Sequence, residues 1–370
     1  MIWTPTLDTS LMSAIYDLSG LDKELTGHHL PKPLLIQMRD MVASMNCYYS
    51  NLIEGVHTKI TDIDTTLSRP DNKSMSFIKT SQNLIAMQQG RSVYDPKYIC
   101  SIHAAFFDDL PEEHKKVRYP DGFESIVKGG ELRKNNVSVG DHAAPSASSV
   151  QGLLNDFYGA YGNASSNMVN VFNALSSYHR LVWIHPFSDG NGRTARLHTE
   201  AALMDGGIGV SQLWSLSRGL AFRQDDYYAA LKKADNLQDH TLQAFVEFLI
   251  LTATEQIAFM KEKVNLDDIS DRYLRLAKDF DMPKGSDVVI GVLMRTGSLP
   301  KSEVPALIGK TDRTARTLVS SMLKIGIIRE KNYSEIEIGL SPLVGAIILP
   351  DLFPYRETAA AVDEIGRLCA

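Results

Sequence analysis

Helical periodicity constrains the fold of this chain more than any other feature. Along residues 31–55 apolar side chains recur at steps of three or four, which is the spacing of one helix face. Those positions are Leu34, Met38, Met41, Met45, Tyr48 and Leu52. The same spacing predicts further helices over 74–91, 98–110, 146–161, 170–187, 195–205, 224–236 and 240–263. We therefore expect a mainly α-helical fold.

A loop-rich stretch at residues 124–145 interrupts this pattern. It contains Gly-Gly, Asn-Asn and Gly-Asp pairs with short β-prone pieces between them. Turn residues in this arrangement are typical of hairpins. We predict a short β-hairpin, or flap, in this stretch.

From residue 286 the pattern changes again. Helices are predicted over 286–296, 302–309 and 311–326, and two strand-like pieces follow around Asn332-Tyr333-Ser334. Three helices and a terminal hairpin are typical of a winged helix-turn-helix domain.

Together these patterns predict consecutive regions, as the length of 370 residues allows for two or three domains. They are an N-terminal helical region (1–96), a helical core (97–265), a linker (266–285), a winged-helix-like domain (286–345) and a C-terminal tail (346–370). The linker prediction rests on the charged residues of this stretch and on Met282-Pro283-Lys284-Gly285.

Charge and cysteine content restrict the function classes. Lys plus Arg is 38 and Asp plus Glu is 44, so the formal net charge is −6, and a basic footprint over the whole chain is excluded. The three widely spaced cysteines favour a reducing compartment. The N-terminus does not resemble a signal peptide, and the apolar run 245–253 is shorter than the ~20 residues of a membrane span. We expect a cytoplasmic protein.

The chemistry is concentrated in residues 185–196, which read HPFSDGNGRTAR. His185 can exchange protons near neutral pH, and Asp189 can bind a hard cation. Gly190-Asn191-Gly192 precedes a predicted helix, where backbone N–H groups can bind anions. Arg193 and Arg196 can contact phosphate oxygens. A P-loop is excluded because GxxxxGK[ST] is absent, and residue 195 is Ala, which excludes GxGxxG. The pattern indicates phosphate chemistry.

This stretch resembles the signature of Fic domains, HxFx[D/E]GNGRxxR, at every fixed position. The resemblance spans about residues 97–265 and implies a Fic-type helical bundle. Members typically transfer AMP from ATP to a hydroxyl side chain of a target protein. The resemblance implies His185 as the general base, Asp189 as the Mg²⁺ ligand and Phe187 as a packing residue. It also implies ATP contacts by Gly190, Asn191, Gly192, Arg193 and Arg196.

A second motif, SNLIEG at 50–55, is similar to the inhibitory motif [S/T]xxxE[G/N] of Fic proteins. Ser50 and Glu54 are four residues apart, so both can face the same way on a helix. The resemblance implies that Glu54 pairs with Arg196 and occupies the γ-phosphate position. The alternative is a Ser and a Glu on a solvated helix face.

The resemblance assigns weaker roles to other residues. Val137, Ser138 and Val139 would form the flap edge that pairs with a target segment, or an ordinary exposed hairpin. Tyr227 and Tyr228 would contact the adenosine end of ATP, with core packing as the alternative for at least one. The histidines without a role are interpreted as structural or surface groups: His28, His29, His57, His103, His114, His142 and His240.

The C-terminal module is locally basic. Residues 300–331 contain seven Lys or Arg and three Asp or Glu, a balance of 7 − 3 = +4. In the predicted recognition helix Thr311 would be the N-cap, with Arg313 and Arg316 near the start, where major-groove contacts are made. DNA binding and a protein-docking or homodimer role both remain open.

The leading hypothesis is an autoinhibited Mg²⁺-dependent protein adenylyltransferase that also modifies itself. One alternative is a DNA-binding regulator that uses the Fic site as a nucleotide sensor. Another is a Fic enzyme with a different reaction, such as removal of AMP. The target protein stays open.

Overall fold

The computed structural model describes residues 2–25, 30–63, 72–108, 110, 112–118, 124–140, 142–163 and 166–369. His28 and His29 lie outside the described residues. The chain divides into two compact units. The first comprises Met1–Glu24, Tyr49–His57 and Asn72–Ile257, and the second comprises Leu25–Tyr48, Thr58–Asp71 and Ala258–Ala370. The units interleave along the chain, whereas the sequence patterns suggested consecutive regions.

Helices dominate the structure, as predicted. In chain order they are α1 (Thr9–Glu24), α2 (Lys32–Ile53), α3 (Ile60–Ile63), α4 (Asn72–Gln88), α5 (Pro96–Phe107), α6 (Val150–Tyr161), α7 (Asn167–Ile184), α8 (Asn191–Asp205), α9 (Leu216–Phe222), α10 (Gln224–Ala234), α11 (Asp239–Lys263), α12 (Leu266–Asp279), α13 (Ser286–Thr296), α14 (Val304–Ile308), α15 (Asp312–Lys324), α16 (Pro342–Ile348) and α17 (Tyr355–Cys369). Short 3₁₀ turns lie at Glu112–His114, Ala147–Ser149 and Lys301–Glu303.

The strands are short and antiparallel. They are β1 (Lys116–Arg118), β2 (Glu124–Ile126), β3 (Ser138–Val139), β4 (His142–Ala143), β5 (Ser298–Pro300), β6 (Ile328–Glu330) and β7 (Glu335–Ile338). In the first unit β1 pairs with β2, and β3 pairs with β4 with Val139 opposite His142. The β3–β4 hairpin lies within the predicted flap, residues 124–145.

The helices α7 and α8 form the centre of the first unit and pack against each other. Most of their side chains are buried, including the polar residues Ser176 and Thr199. Dense packing of this kind transmits strain and leaves little room for movement. The loop between the two helices, residues 185–190, is therefore held at both ends by a rigid framework.

The second unit contains the predicted helix-and-hairpin module. Its elements follow in the order α13, β5, α14, α15, β6 and β7, and the sheet order is β5-β7-β6. The strand β5 was not predicted. The helix α15 begins after the N-cap Thr311, whose hydroxyl accepts a bond from the Thr314 N–H, as expected. It buries Leu318 and Met322.

Two stretches differ from the sequence predictions. Most of the predicted linker is the helix α12, which buries Ile269, Tyr273 and Leu276 on one face. Its many charged residues lie mainly on the other face. A high content of charged residues is also typical of linkers, which explains the prediction. The predicted tail 346–370 contains the end of α16 and the helix α17, which buries Ala361 and Ile365.

The helix α11 is longer than its apolar run suggests. Among the described residues it is the one helix with the length and composition to cross a membrane, and half of its most apolar window is buried. The core helix of a globular protein can have the same length and composition.

Candidate active site

His185 lies at the end of α7 in a strained backbone conformation. It is the C-cap residue, with φ 51° and ψ 62°, in the left-handed region. This conformation is uncommon for a residue with a side chain and turns the chain sharply out of the helix. The imidazole Nδ1 lies 3.3 Å from the Val182 carbonyl. Since a carbonyl only accepts, this contact assigns the proton to Nδ1 and leaves Nε2 as an acceptor.

Burial lowers the pKa of His185 to about 4. Desolvation disfavours the charged imidazolium, so the ring is neutral at pH 7. A neutral imidazole with a free Nε2 lone pair is the form that accepts a proton from a hydroxyl.

The Asn191 side chain closes the loop that follows. Its Oδ1 accepts from the Phe187 N–H and its Nδ2 donates to the Phe187 carbonyl, both at 2.8 Å. The amide is therefore used within the loop and sets its shape. Gly190 adopts φ 77°, and a Cβ there would lie 3.0 Å from the Phe107 ring. This position requires glycine.

His103 on α5 supports the same loop, a role that its sequence position did not predict. Its ring is stacked on Phe187 with centroids 3.9 Å apart. Its Nε2 lies 3.0 Å from the Asp189 carbonyl, and its Nδ1 accepts from the Gly130 N–H at 2.8 Å. Burial lowers its pKa to about 4, so it is a neutral link between the loop and the start of the flap. No local motif marks His103, because its partners are distant in sequence.

The start of α8 offers an anion site. The first N–H groups of a helix have no intrahelical acceptor, and the Thr194 N–H is the first to bond back, to Gly190. Arg193 is 7% exposed, and its Nε has no partner among the described residues. A buried guanidinium with an unused donor is suited to an anionic ligand.

Arg196 is bound by the predicted inhibitory motif. Its Nε donates to the Ser50 hydroxyl at 2.8 Å, and its Nη2 donates to the Ser50 carbonyl at 3.0 Å and to Glu54 Oε1 at 2.7 Å. The Arg196 side chain is 2% exposed. The structure thus brings together all three residues that the sequence analysis placed in this contact.

The Glu54 carboxylate lies directly at the start of α8. A Cβ on Gly192 would be 2.2 Å from Glu54 Oε1. Burial raises the pKa of the Glu54 carboxyl, but the Arg196 guanidinium more than offsets this, with smaller contributions from Arg193 and His185, so the pKa is below its ordinary value. The site therefore stabilises a negative charge at this point, next to His185.

The two tyrosines of α10 differ in environment. Tyr227 is 2% exposed, and its hydroxyl is 2.7 Å from that of Tyr178. Tyr228 is 46% exposed, and its hydroxyl donates to the Ile53 carbonyl at 2.7 Å. Tyr228 therefore has an accessible ring beside the end of α2, whereas Tyr227 lies in the core.

The flap edge is exposed. Ser138 and Val139 form β3, Val139 is 53% exposed, and the Val137 carbonyl accepts from the Ala144 N–H at 3.2 Å. The strand is available for pairing on the side away from β4, and such an edge can accept an added strand.

Asp189 fits a magnesium ligand. Its side chain is 46% exposed; Oδ1 accepts from the Gly190 N–H at 2.6 Å, and Oδ2 lies 3.5 Å from Arg193. Mg²⁺ at nucleotide sites uses one or two carboxylates, with phosphate oxygens and water completing its shell. Within the described ranges, no cluster of three or more His, Cys, Asp or Glu could hold a metal. A single carboxylate next to an anion site agrees with a nucleotide-bound cation.

Comparisons with known proteins point to one family. Residues 93–203 match the model of the Fic/DOC family. A Drosophila mojavensis protein named "Protein adenylyltransferase Fic" is 27% identical over 236 residues, which cover 63% of this chain and 44% of that protein. A Culex quinquefasciatus protein with the same name is 40% identical over 100 residues, or 27% of this chain and 19% of that protein. The chain thus spans less than half the length of these relatives.

A solved structure shares the fold. The crystal structure of a Fic family protein from Desulfovibrio desulfuricans G20 superposes with a TM-score of 0.53 at 18% identity. The match covers 91% of this chain and 98% of that one. Residues 93–203, which contain the signature at 185–196, thus match the Fic/DOC family, and the fold of the chain is that of a solved Fic family protein.

Proposed function

We propose that this protein transfers AMP from ATP to a hydroxyl side chain of a protein, itself included, and that Glu54 inhibits the transfer. One observation carries the proposal: the Glu54 carboxylate lies at the start of α8 against Gly192 and Arg196, beside the neutral His185. An anion site and a proton acceptor next to each other are what phosphoryl-type transfer requires.

In this proposal each residue has a defined task. His185 Nε2 accepts the proton of the target hydroxyl, whose oxygen then bonds to the α-phosphorus of ATP. The bond from the α-phosphorus to the bridging oxygen breaks, and pyrophosphate leaves. Arg193 and the first N–H groups of α8, including those of Asn191 and Gly192, stabilise the phosphate charge.

Asp189 would hold Mg²⁺, which when bound supplies charge neutralisation at the phosphates. The Asn191 side chain, Gly190 and His103 hold the loop in place, so that the loop needs no rearrangement when the nucleotide binds. Tyr228 would contact the adenosine end, and the edge formed by Val137, Ser138 and Val139 would pair with the target segment.

Glu54 would inhibit by occupying the position of the terminal phosphate of ATP. Its carboxylate and the Ser50 hydroxyl use the Arg196 donors that a terminal phosphate would otherwise receive. ATP bound beside Glu54 would lose this contact and meet a negative charge, so its α-phosphate would not be presented to the hydroxyl.

The test is intact-mass spectrometry of the protein incubated with ATP and Mg²⁺. We expect Glu54→Gly to gain the mass of AMP at least about tenfold faster than the wild type, since an ion pair with a buried guanidinium is worth more than about 1.4 kcal/mol. The matched control is Glu255→Gly, a carboxylate that is bound to Arg223 and has no role in the proposed reaction. It should leave the rate unchanged.

Glu54→Gly combined with His185→Ala should abolish the mass gain and keep ATP binding. A gain that persists in this double variant would disprove the role of His185. Loss of AMP from a protein that already carries it, catalysed by the wild type and not by Glu54→Gly, would instead support the removal reaction.

The exposed face of α15 supports a second candidate function, DNA binding. Arg313 and Arg316 are exposed and, with Lys310, form no ion pair within the part of the chain that the structure describes. By contrast, the basic residues of the hairpin are paired with carboxylates: Lys301 with Glu330, Lys331 with Glu335, and Arg329 with Glu337. When residues 332–338 are included, the formal net charge of residues 300–338 is 7 − 5 = +2.

Binding of duplex DNA at several salt concentrations tests this function. Each phosphate contact that is lost should reduce the slope of log affinity against log salt by about 1. We expect Arg313→Gln with Arg316→Gln to reduce the slope by about 2, and Lys301→Gln to leave it nearly unchanged. Concentration-dependent light scattering would show instead that a second copy of the chain occupies this face. We also propose a cytoplasmic location, which the small number and wide spacing of the cysteines support.

A further inference from the structure

The C-terminal end of α7 is capped by the flap. The last carbonyls of a helix have no intrahelical donors and carry the negative end of the helix dipole. Here the Trp183 and Ile184 carbonyls at the end of α7, and the His185 and Pro186 carbonyls that follow it, all accept from two flap residues. Arg133 donates from Nε to His185 at 2.7 Å, from Nη2 to Ile184 at 3.4 Å and from its backbone N–H to Pro186 at 2.9 Å. His142 Nε2 lies 3.1 Å from the Trp183 carbonyl.

Arg133 also spans the flap itself. Its Nη1 donates to the Asn135 carbonyl at 3.0 Å, and its Nη2 donates to the Pro145 carbonyl. The residue is 3% exposed. A single buried guanidinium therefore joins both sides of the flap to the backbone of His185, whose left-handed conformation needs such support.

His142 requires a positive charge to make its contacts. Its Nδ1 lies 3.2 Å from Asp235 Oδ2, and its Nε2 faces the Trp183 carbonyl. Both partners are acceptors, and a neutral imidazole has only one N–H. Both bonds therefore form only in the doubly protonated ring.

The surroundings of His142 contain opposing charges. The Asp235 hydrogen bond raises the pKa of His142 above its ordinary value, against burial and the nearby Arg133 charge. His179 shares Asp235 and is bonded to Arg180, and His185 is also close enough to interact. The net effect is a raised pKa, which favours the imidazolium more than in an exposed histidine.

We propose that Arg133 and His142 are positioning residues that cap the C-terminal carbonyls of α7 with two cations from the flap and thereby hold the His185 base. The inference rests on the proposed function for the role of His185. His142 lies directly opposite Val139 on the flap edge. A target strand that pairs with this edge is thus connected through β4 to the helix end that carries His185.

Kinetics in the Glu54→Gly background test the role in transfer. Arg133→Lys keeps the charge but loses the planar guanidinium and its several N–H donors. It should lower kcat at least about tenfold and leave the KM for ATP within about twofold. The matched control is Arg118→Lys, at an exposed position on β1. Unchanged kcat for Arg133→Lys, or an equal change in the KM for ATP, would overturn the proposal.

A second, milder variant tests the same cap if Arg133→Lys does not fold. His142→Gln keeps a donor but not the charge, and we expect kcat to fall about threefold to tenfold. In the Glu54→Gly parent, kcat should decline as pH rises through the pKa of His142, because the cap is complete only below it. This decline should be absent in His142→Gln and present in the exposed control His240→Gln. A pH profile unaffected by His142→Gln would contradict the cap.

An NMR titration of labelled histidines, without ATP, tests the cap separately from the reaction. The His142 signal, identified by its loss in His142→Gln, should titrate above the ordinary value of about 6.5 and shift downward in Asp235→Asn. If this holds while no variant gains AMP, the proposed function fails and the cap stands. A His142 that titrates below the ordinary value would overturn the cap.

Discussion

The tetrapeptide Arg-Thr-Ala-Arg occurs twice, once in each unit, in opposite environments. At 193–196 it lies in the first turns of α8, and all four residues are buried. At 313–316 it lies in the first turn of α15, and only the alanine is buried. Helix type and position are nearly the same, so the surroundings alone decide what the arginines do. In α8 a glycine-containing loop and the end of α2 enclose them, whereas in α15 they face outward.

The sharpest contrast is expected for the second arginine of each copy. Arg196→Lys removes the fork that binds Ser50 and Glu54 and leaves buried acceptors unpaired, which should cost about 2–4 kcal/mol of the free energy of unfolding. Arg316→Lys should change it by less than about 0.5 kcal/mol. Trp3, Trp183 and Trp214 all belong to the first unit, so urea unfolding followed by tryptophan fluorescence reports that unit. Circular dichroism follows the helices of both units, so a transition that the fluorescence does not show belongs to the second.

Equal losses of stability in the two variants would show that the burial of Arg196 confers no special role. A loss for Arg196→Lys that disappears in a Glu54→Gly background would show that Glu54 is the partner that matters. This second outcome would connect stability directly to inhibition.

The sequence predicted the active-site loop better than the environment of each side chain. The resemblance of residues 185–196 and of SNLIEG to motifs of Fic proteins placed Glu54 against Arg196, although the two residues are 142 positions apart. His103, Arg133 and His142 were missed, since each acts through backbone carbonyls distant in sequence. The charged helix α12 resembled a linker because composition does not show which face is buried, although Ile269, Tyr273 and Leu276 carry the helical spacing.

Acid should destabilise the first unit selectively. Burial lowers the pKa of His103, His185 and His198 to about 4 each. The unfolded chain then binds more protons than the folded one, so stability is full above about pH 6.5 and falls toward pH 4. We expect a loss of about 1 kcal/mol per histidine between pH 7.5 and 6. The raised pKa of His142 acts in the opposite direction and reduces the total loss of stability.

The described part of the second unit contains no histidine. Its unfolding, followed by circular dichroism, should therefore change little over this pH range. Urea unfolding at pH 7.5 and at pH 6 measures the stability of both units. Constant stability of the tryptophan-reported transition would mean that these histidines are not held neutral by burial.

A smaller effect is expected where α10 contacts the end of α2. Tyr228→Phe removes the hydroxyl that donates to the Ile53 carbonyl and keeps the ring. One hydrogen bond of about 1 kcal/mol corresponds to about a fivefold faster self-modification, less than for Glu54→Gly. The control is Tyr355→Phe, which is 88% exposed before substitution. A rate equal to that of the wild type would show that the Glu54 contact alone holds the inhibited state.

The smallest expected effect separates the two threonines of the repeated tetrapeptide. Thr194 is 1% exposed and its hydroxyl donates to the Gly190 carbonyl at 2.8 Å, so Thr194→Ala should cost about 1 kcal/mol. Thr314 is exposed and its hydroxyl contacts only that of Thr311, at 3.1 Å, among the described residues. Thr314→Ala should therefore change stability by less than about 0.5 kcal/mol. Since the same substitution is made in the same tetrapeptide, intrinsic helix propensity largely cancels, and the difference in urea midpoints measures the buried bond to Gly190. A difference of zero would mean that this bond does not hold the loop that carries Asp189 and Gly190 against α8.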